Sequence, residues 1–238
     1  MSDNGLTDHE LDDAQRAAGV TLRDRDLLRE ALTHPSYPNE NPQSDPIDNQ
    51  RLEFLGDALI DLVVAEWLYA RYPEATEGEL TGLRAQIVRT EGLQAFALEI
   101  DLGRHLLLGR GEAASGGRER PANLCAAFEA LAGALYLDQG LGAVRAWMHA
   151  FLDRHATEID GLRASKDAKS LLQEYAQSTV RITPSYRIVR EEGPDHAKTF
   201  TAQALVGDAV WGEGTGNSKQ AAEQAAAEAA LRAHRTVS

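Results

Sequence analysis

The sequence feature that most constrains the fold is a change in apolar periodicity partway along the chain. Residues 1–157 contain no convincing stretch in which apolar and polar residues alternate. Apolar residues recur there at helical spacing instead, as at Leu27, Leu28, Ala31 and Leu32. Alternation with period two is typical of a half-buried strand, and spacing of three to four residues is typical of a helix. We therefore expect the first 157 residues to be all-α.

Start and stop signals divide this helical part into elements. Thr76 with Glu79 forms a capping box at the start of one helix. Residues 38–48, which hold three prolines, and the glycine-rich basic segment 108–121 are predicted to be loops. The predicted helical segments are 8–37, 50–71, 76–89, 90–99, 122–139 and 141–157.

A different pattern follows a short predicted linker at 158–166. Every second residue from Phe200 to Val206 is apolar, which predicts a strand with one buried face. An amphipathic helix precedes the strands, and an alanine-rich helix of strong intrinsic propensity follows them. The predicted elements are a helix over 167–178, strands over 185–192, 198–206 and 209–214, and a helix over 218–234. The order α-β-β-β-α predicts an α+β domain over 167–238, after an all-α domain over 1–157.

The charge is unevenly divided between these two parts. The chain has a net charge of −13, which on its own argues against a nucleic-acid partner. From Lys166 onward, however, nine Lys and Arg residues balance nine Asp and Glu residues, so the excess negative charge lies in the first 165 residues. This asymmetry indicates two domains with different roles.

Several classes of protein are disfavoured by simple features. The longest apolar runs, such as LVVA, are too short to span a bilayer. The N-terminus is polar and acidic, unlike a secretory signal. The single cysteine, Cys125, cannot form an internal disulfide, which fits a reducing compartment. We expect a cytoplasmic protein with no membrane partner.

Two carboxylates stand together in the long apolar helix predicted over 50–71. Gln50, Glu53 and Asp57 fall on one helical face, and Ile60 and Val64 continue the same stripe. The acids should therefore be partly desolvated, and both desolvation and mutual repulsion raise the pKa of a carboxylate. An Arg partner or a bound cation would relieve this cost.

The other strongly apolar helix carries one acid, Glu129. Oxygen donors from two adjacent helices suit a hard cation such as Mg²⁺, which binds through few protein carboxylates. A Mg²⁺ ion that also contacts a phosphate can activate water for phosphodiester cleavage. The alternative is that these acids are solvated or paired with Lys or Arg, as most helix carboxylates are.

The motif NQRLEFLGDAL at 49–59 resembles the signature of ribonuclease III, an endonuclease for double-stranded RNA. Four further motifs follow the family's order, and the second part resembles a double-stranded-RNA-binding domain through LLQEY, GPDHAKTF and GEGTGNSKQAAEQAAAEAAL. The four motifs are ALTHPSY at 31–37, TEGELTGLRAQIV at 76–88, LGRGEAASGGR at 108–118 and FEALAGALYLDQG at 128–140.

The resemblance implies an activity and a set of residues. Members of the family cut both RNA strands with Mg²⁺, for which Mn²⁺ can substitute. The products carry 5′-phosphate and 3′-hydroxyl ends, and the substrates are structured precursor RNAs such as rRNA and mRNA. Glu53, Asp57 and Glu129 match the metal-binding carboxylates, Asp57 and Glu129 being also catalytic, and Glu77 matches an acid at the rim of the catalytic valley. The family works as a homodimer without an organic cofactor. Phe54 matches an aromatic knob that enters the partner subunit, although plain core packing is the alternative for Phe54.

Two positions depart from the family's pattern. Ala126 stands where the family has an aspartate, and Gln50 stands where an acid commonly precedes Arg-Leu-Glu. Alanine offers no oxygen, so one metal ligand is missing, and water or Asn123 could take its place. A mechanism with one metal ion fits this chain better than a two-metal site. The alternative is a homologue that binds double-stranded RNA and cleaves it poorly or not at all.

The resemblance also assigns three RNA-binding regions to the second domain. They are the first helix, the loop between the first two strands, and the start of the last helix, where free N–H groups and a lysine favour anions. Such a domain recognises A-form shape more than sequence. With no net charge, and Gln220 in place of a second basic residue, weak binding is expected. The assigned residues are Lys169, Gln173, Glu174, Pro194, His196, Asn217, Ser218, Lys219 and Gln220.

Overall fold

A computed structural model describes residues 5–44, 46–193 and 198–235 of the chain. The chain divides into two compact units, with the division after Ala156. Among the residues so described, no helix is long and apolar enough to cross a membrane.

The first unit is built from helices, as predicted. Its described part also contains a short 3-10 turn, Pro42–Ser44, and one isolated parallel bridge between Thr33 and Leu107. The helices are α1 (Asp8–Ala18), α2 (Arg25–Leu32), α3 (Ser36–Glu40), α4 (Gln50–Arg71), α5 (Glu77–Val88), α6 (Thr90–Glu99), α7 (Leu102–His105), α8 (Arg110–Ala114), α9 (Pro121–Gln139) and α10 (Leu141–Arg154).

Three segments of the first unit differ from the sequence-based expectation. Helix α3 extends into 38–48, which was predicted to be a loop and also holds the 3-10 turn. The helical pattern over 8–37 is divided into three helices. Gly19, which takes a left-handed conformation with φ of 67°, ends α1, and the extended backbone of Thr33 ends α2. The segment 108–121, predicted to be a loop, contains the short helix α8. Glu40 accepts hydrogen bonds from the backbone N–H groups of Arg110 and Gly111 at 2.8 and 3.2 Å and so caps that helix from elsewhere in the chain.

Helices α4 and α9 form the centre of the first unit and cross at two glycines. A Cβ atom added to Gly56 would lie 1.7 Å from the backbone oxygen of Glu129. A Cβ atom on Gly133 would lie 2.4 Å from the backbone oxygen of Leu52. Only glycine permits backbones to approach this closely at both points. The crossing therefore fixes the part of α4 near residues 52–57 against Glu129.

The second unit has the predicted order of elements. It contains α11 (Ala156–Thr179), β1 (Ser185–Glu192), β2 (Thr199–Val206), β3 (Ala209–Gly216) and α12 (Lys219–Arg235). The three strands form an antiparallel sheet in the order β1-β2-β3. Ala202, Ala204 and Val206 are buried, as the alternation predicts. The residues predicted to form a linker, 158–166, are helical and belong to α11.

Small residues bring α12 close to the sheet. A Cβ atom on Gly214 would lie 2.3 Å from the backbone nitrogen of Ala226, and one on Gly212 would lie 2.3 Å from that of Ala230. The alanine-rich composition of α12 therefore serves packing as well as helix propensity. The buried residues of this core are Ala168, Leu172, Ala202, Ala204, Ala222, Ala226, Ala227, Ala230 and Leu231.

Candidate active site

The crossing of α4 and α9 brings together the three acids singled out from the sequence. Glu53 is partly buried and Asp57 exposed on α4, whereas Glu129 on α9 is only 8% exposed. Glu129 is fixed opposite Gly56, which lies between the two α4 acids in the sequence. The negative charges of Asp57 and Glu53 both act on Glu129. The two helices therefore create one acidic centre at the edge of the core.

Burial and repulsion perturb Glu53, as expected, and Glu129, whereas Asp57, which was also expected to be partly desolvated, is exposed. Burial raises the pKa of Glu129 to about 7, and the charges of Asp57 and Glu53 add to this rise. Burial also raises the pKa of Glu53, with Asp48 and Asp57 contributing in the same direction. An ionised Glu129 is therefore costly in the isolated chain, and a cation would lower that cost.

One neighbour of Glu129 was not singled out from the sequence. The Cys125 thiol donates a hydrogen bond to Glu129 Oε1, with 3.4 Å between the sulfur and the oxygen. Burial, together with the adjacent Glu129 charge, raises the pKa of Cys125 to about 12, so the sulfur keeps its proton at neutral pH. The signal in the sequence was the spacing of four residues, which places both side chains on one helical face.

The described part of the chain supplies no basic side chain to neutralise this centre. Within the described ranges, neither Glu53, Asp57 nor Glu129 forms an ion pair with a Lys, Arg or His residue. The sequence left open that these acids pair with Lys or Arg instead of a metal. The described part of the chain shows no such pairs. The donors are anionic oxygens, which suit a hard divalent cation. In their present orientations, however, the His, Cys, Asp and Glu side chains of the described part form no group of three or more that could hold a metal.

The departures from the family's pattern also lie around this centre. Gln50 is exposed at the first position of α4, and Ala126 is partly buried on α9 without any side-chain oxygen. Asn123, the candidate replacement ligand, uses its amide nitrogen elsewhere: Nδ2 donates to Glu112 Oε1 at 2.7 Å and to the Gly117 carbonyl at 3.0 Å. Asn123 thus ties the 112–117 segment to the start of α9.

Glu77 and Phe54 have exposed positions. Glu77 is the first residue of α5 and accepts a hydrogen bond from the Thr81 hydroxyl at 3.1 Å. It also helps to line a cavity of about 350 Å³, together with Leu68 and Tyr69. The Phe54 side chain is 82% exposed, so core packing within its own subunit does not explain it.

The predicted RNA-binding residues of the second unit fall into three groups. Gln173 and Glu174 are exposed on α11, and the four candidates at 217–220 are exposed around the start of α12. Ser218 caps that helix by accepting a hydrogen bond from the Ala221 N–H at 3.1 Å. Pro194 and His196 lie outside the described residues.

Lys169 differs from the other candidates because it is engaged within the domain. It is partly buried on α11, its ammonium group pairs with Glu223 of α12, and it lies 4.4 Å from the centre of the Tyr186 ring. Lys219, by contrast, is exposed at the first position of α12, 5.9 Å from the centre of the Phe200 ring. Of these two candidates, Lys219 is therefore exposed and Lys169 is paired within the domain.

Comparison with known proteins assigns a family to each unit. A family model described as Ribonuclease-III-like matches residues 24–155, and one described as Double-stranded RNA binding motif matches residues 168–234. Together they cover the acidic centre and the sheet with its two helices.

Curated relatives match across both units. A protein named Ribonuclease 3 from Pelotomaculum thermopropionicum is 47% identical over 213 residues, which cover 90% of this chain and 88% of the relative. A protein of the same name from Roseiflexus sp. is 44% identical over 223 residues, which cover 93% of this chain and 94% of the relative.

A solved structure matches the first unit. The nuclease domain of ribonuclease III from Campylobacter jejuni superimposes with a TM-score of 0.56 and 33% sequence identity, covering 60% of this chain and 96% of that chain. The description of that structure refers to flexibility in a region involved in dimer formation.

Proposed function

Because this chain belongs to the ribonuclease III family of endoribonucleases, we propose that it cleaves double-stranded RNA with the help of a divalent metal ion. The observation that carries the proposal is the buried Glu129, which faces Glu53 and Asp57 across the α4–α9 crossing without a basic partner in the described residues. An alternative, binding of RNA duplexes without cleavage, gains no support from the two curated relatives described above, both of which are named Ribonuclease 3.

Glu53, Asp57 and Glu129 would hold the metal, with Mg²⁺ as the expected ion and Mn²⁺ as a substitute. When bound, the ion would activate a water molecule and stabilise negative charge on the phosphate. Because Ala126 provides no oxygen, and hydrogen bonds from Asn123 Nδ2 hold that side chain toward Glu112 and Gly117, we assign a single metal ion to this site.

The chain's own residues supply the remaining requirements. Asp57 and Glu129 are assigned as the catalytic carboxylates because both belong to the acidic centre at the α4–α9 crossing. Glu77 is an exposed acid at the start of α5 and is assigned to the rim of the site. The expected products carry 5′-phosphate and 3′-hydroxyl ends. The expected substrates are structured precursors of rRNA and mRNA in the cytoplasm, and no organic cofactor is required.

The active form is proposed to be a homodimer. An aromatic side chain that is 82% exposed is costly in water, and Phe54 shares α4 with Tyr69, which is 75% exposed. A second copy of the chain would cover both residues. The dimer-forming nuclease domain from Campylobacter jejuni, which the first unit resembles, supports this assignment.

The second domain is proposed to bind the RNA duplex. Exposed Asn217, Ser218, Lys219 and Gln220 surround a helix N-terminus, whose free N–H groups attract phosphate. Gln173 and Glu174 on α11 are assigned to the minor groove, as are Pro194 and His196. Lys169 would reach a phosphate only after leaving Glu223.

The test is to incubate the purified chain with a long RNA duplex in Mg²⁺ or in EDTA, and to analyse the RNA on a denaturing gel. A single strand of matched length serves as the substrate control. Short products from the duplex in Mg²⁺ alone support the proposal. An intact duplex that is still retarded on a native gel, with cleavage restored by Ala126→Asp, would contradict it and favour a binding protein.

A further inference from the structure

The acidic centre contains one contact that the proposed function does not use. Cys125 and Glu129 lie one helical turn apart on α9, and the thiol donates to Glu129 Oε1 across 3.4 Å. The two side chains are 9% and 8% exposed, so water competes little for this hydrogen bond. A weak donor such as a thiol matters more in such a place than at the surface.

The thiol is the partner that the structure gives to the Glu129 carboxylate. In the described part of the chain no other hydrogen bond to Oε1 or Oε2 is formed, and no cation lies beside either oxygen. The final torsion of a glutamate side chain has a broad energy profile, so it does not select one orientation of the carboxylate plane. The orientation of Glu129 therefore depends on packing and on this one donor.

The charged groups that act on Glu129 lie on helix α4 and are negative. Glu53 and Asp57 both repel it, and Asp61 adds to that repulsion. Cys125 is a neutral donor in this field of negative charge. With Ala126 unable to act as a ligand, the orientation of the remaining carboxylates matters more than in a site with a complete set.

We propose that Cys125 is a positioning residue, whose thiol holds Glu129 Oε1 and so limits the orientations that this carboxylate must sample before it binds the divalent metal ion. The inference rests on the proposed function, because it requires Glu129 to be a metal ligand. Cys125 itself contacts neither the RNA nor the metal in this scheme.

The experiment measures metal binding directly, without cleavage. The unmodified full chain, Cys125→Ala, Cys125→Ser and Glu129→Gln are titrated with Mn²⁺ in the absence of RNA, and free Mn²⁺ is measured by electron paramagnetic resonance. We expect Cys125→Ala to weaken binding about 3- to 10-fold, at the low end for a residue that orients a metal ligand, because a thiol is a weak donor. Cys125→Ser retains a donor at the same position and should remain within about twofold of the unmodified chain.

Two further readouts separate positioning from simple loss of structure. The half-activating Mg²⁺ concentration for duplex cleavage should rise in Cys125→Ala by the same factor as the Mn²⁺ dissociation constant, with KM for the duplex unchanged. The melting temperature of each variant in EDTA reports whether the fold is intact. A serine variant that loses as much metal affinity as the alanine variant would overturn the inference, because the effect would then belong to the volume of the sulfur.

The inference and the proposed function fail in different ways. If Glu129→Gln loses Mn²⁺ binding while Cys125→Ala binds as tightly as the unmodified chain, the positioning role is wrong and the metal site stands. If Glu129→Gln binds Mn²⁺ as well as the unmodified chain, the metal lies elsewhere and both proposals fall.

Discussion

At the scale of single residues, Glu129 connects the fold to the proposed chemistry. Its burial raises its pKa to about 7 from an ordinary value of 4.5. Between these two values the folded state binds more protons than the unfolded state, so this residue's contribution to stability falls as the pH rises. Above the folded-state pKa the ionised Glu129 is fully destabilising in the absence of metal.

This leads to a prediction about stability without metal. In EDTA, the melting temperature of Glu129→Gln minus that of the unmodified chain should be greater at about pH 8 than at about pH 5, because glutamine removes the charge without titrating. Thermal unfolding followed by circular dichroism measures this difference. A difference that does not change with pH would mean that Glu129 is not strained by its ionisation.

A second prediction at this scale concerns Lys169, whose ammonium group is held by Glu223. Glu223→Gln should release the lysine for phosphate contact, strengthening duplex binding by a few-fold and steepening the logarithmic salt dependence by roughly one unit. Glu213→Gln on β3 is the matched control, since it removes the same charge from the domain without releasing Lys169 and Glu213 accepts its hydrogen bond from the Gln203 amide. Equal effects of the two variants, measured by fluorescence anisotropy at several salt concentrations, would show that only net charge matters.

Sequence reasoning identified the acids and the partial desolvation of Glu53, but it did not show how Phe54 and Lys169 are placed. The spacing of Glu53 and Asp57 was visible, because two residues four apart share a helical face. The exposed fraction of Phe54 was not visible, since apolar residues surround it in the sequence and only the packing of α4 shows which of them face outward. The pairing of Lys169 with Glu223 joins residues 54 positions apart, and no local pattern encodes it.

At the scale of elements, the crossing of α4 and α9 determines where the acids meet. Gly56→Ala would place a methyl group 1.7 Å from the Glu129 backbone oxygen, which can be relieved only by separating the helices. We expect a loss of at least about 3 kcal/mol in the free energy of unfolding, at the upper end for an overpacked core. Gly142→Ala on α10 is the control, because its added Cβ meets nothing within 4 Å. Chemical denaturation compares them, and equal stability of the two variants would refute the close crossing.

Elements with a continuous pattern were predictable, and those that depend on distant partners were not. The long helix α4 and the strand β2 show their period in the sequence, and both were confirmed. Helix α8 was predicted as a loop because its own residues favour turns. Its first N–H groups are satisfied by Glu40, which lies 70 residues away from Arg110 in the sequence. A cap supplied from such a distance leaves no local signal.

At the scale of the whole molecule, the proposed dimer depends on the exposed face of α4. Phe54→Ala should weaken self-association by at least about 2 kcal/mol, roughly 30-fold in the dissociation constant, since buried aromatic anchors dominate such interfaces. Leu98→Ala is the control, because Leu98 is also exposed, at 56%, but lies on α6. Sedimentation velocity over a range of concentrations measures both. An unchanged dimer in Phe54→Ala, or an equal loss in Leu98→Ala, would remove Phe54 from the interface.

The central claim is that the chain cleaves duplex RNA at the acidic centre of the α4–α9 crossing, whose carboxylates would hold a divalent metal ion. The most direct test is single-turnover cleavage by Glu129→Gln in Mg²⁺, with duplex binding measured in parallel on native gels. We expect cleavage to fall at least about 1,000-fold, because a ligand of the catalytic metal is lost, while duplex affinity stays within about twofold. Cleavage at the rate of the unmodified chain would contradict the account, since the reaction would then proceed without the carboxylate at its centre.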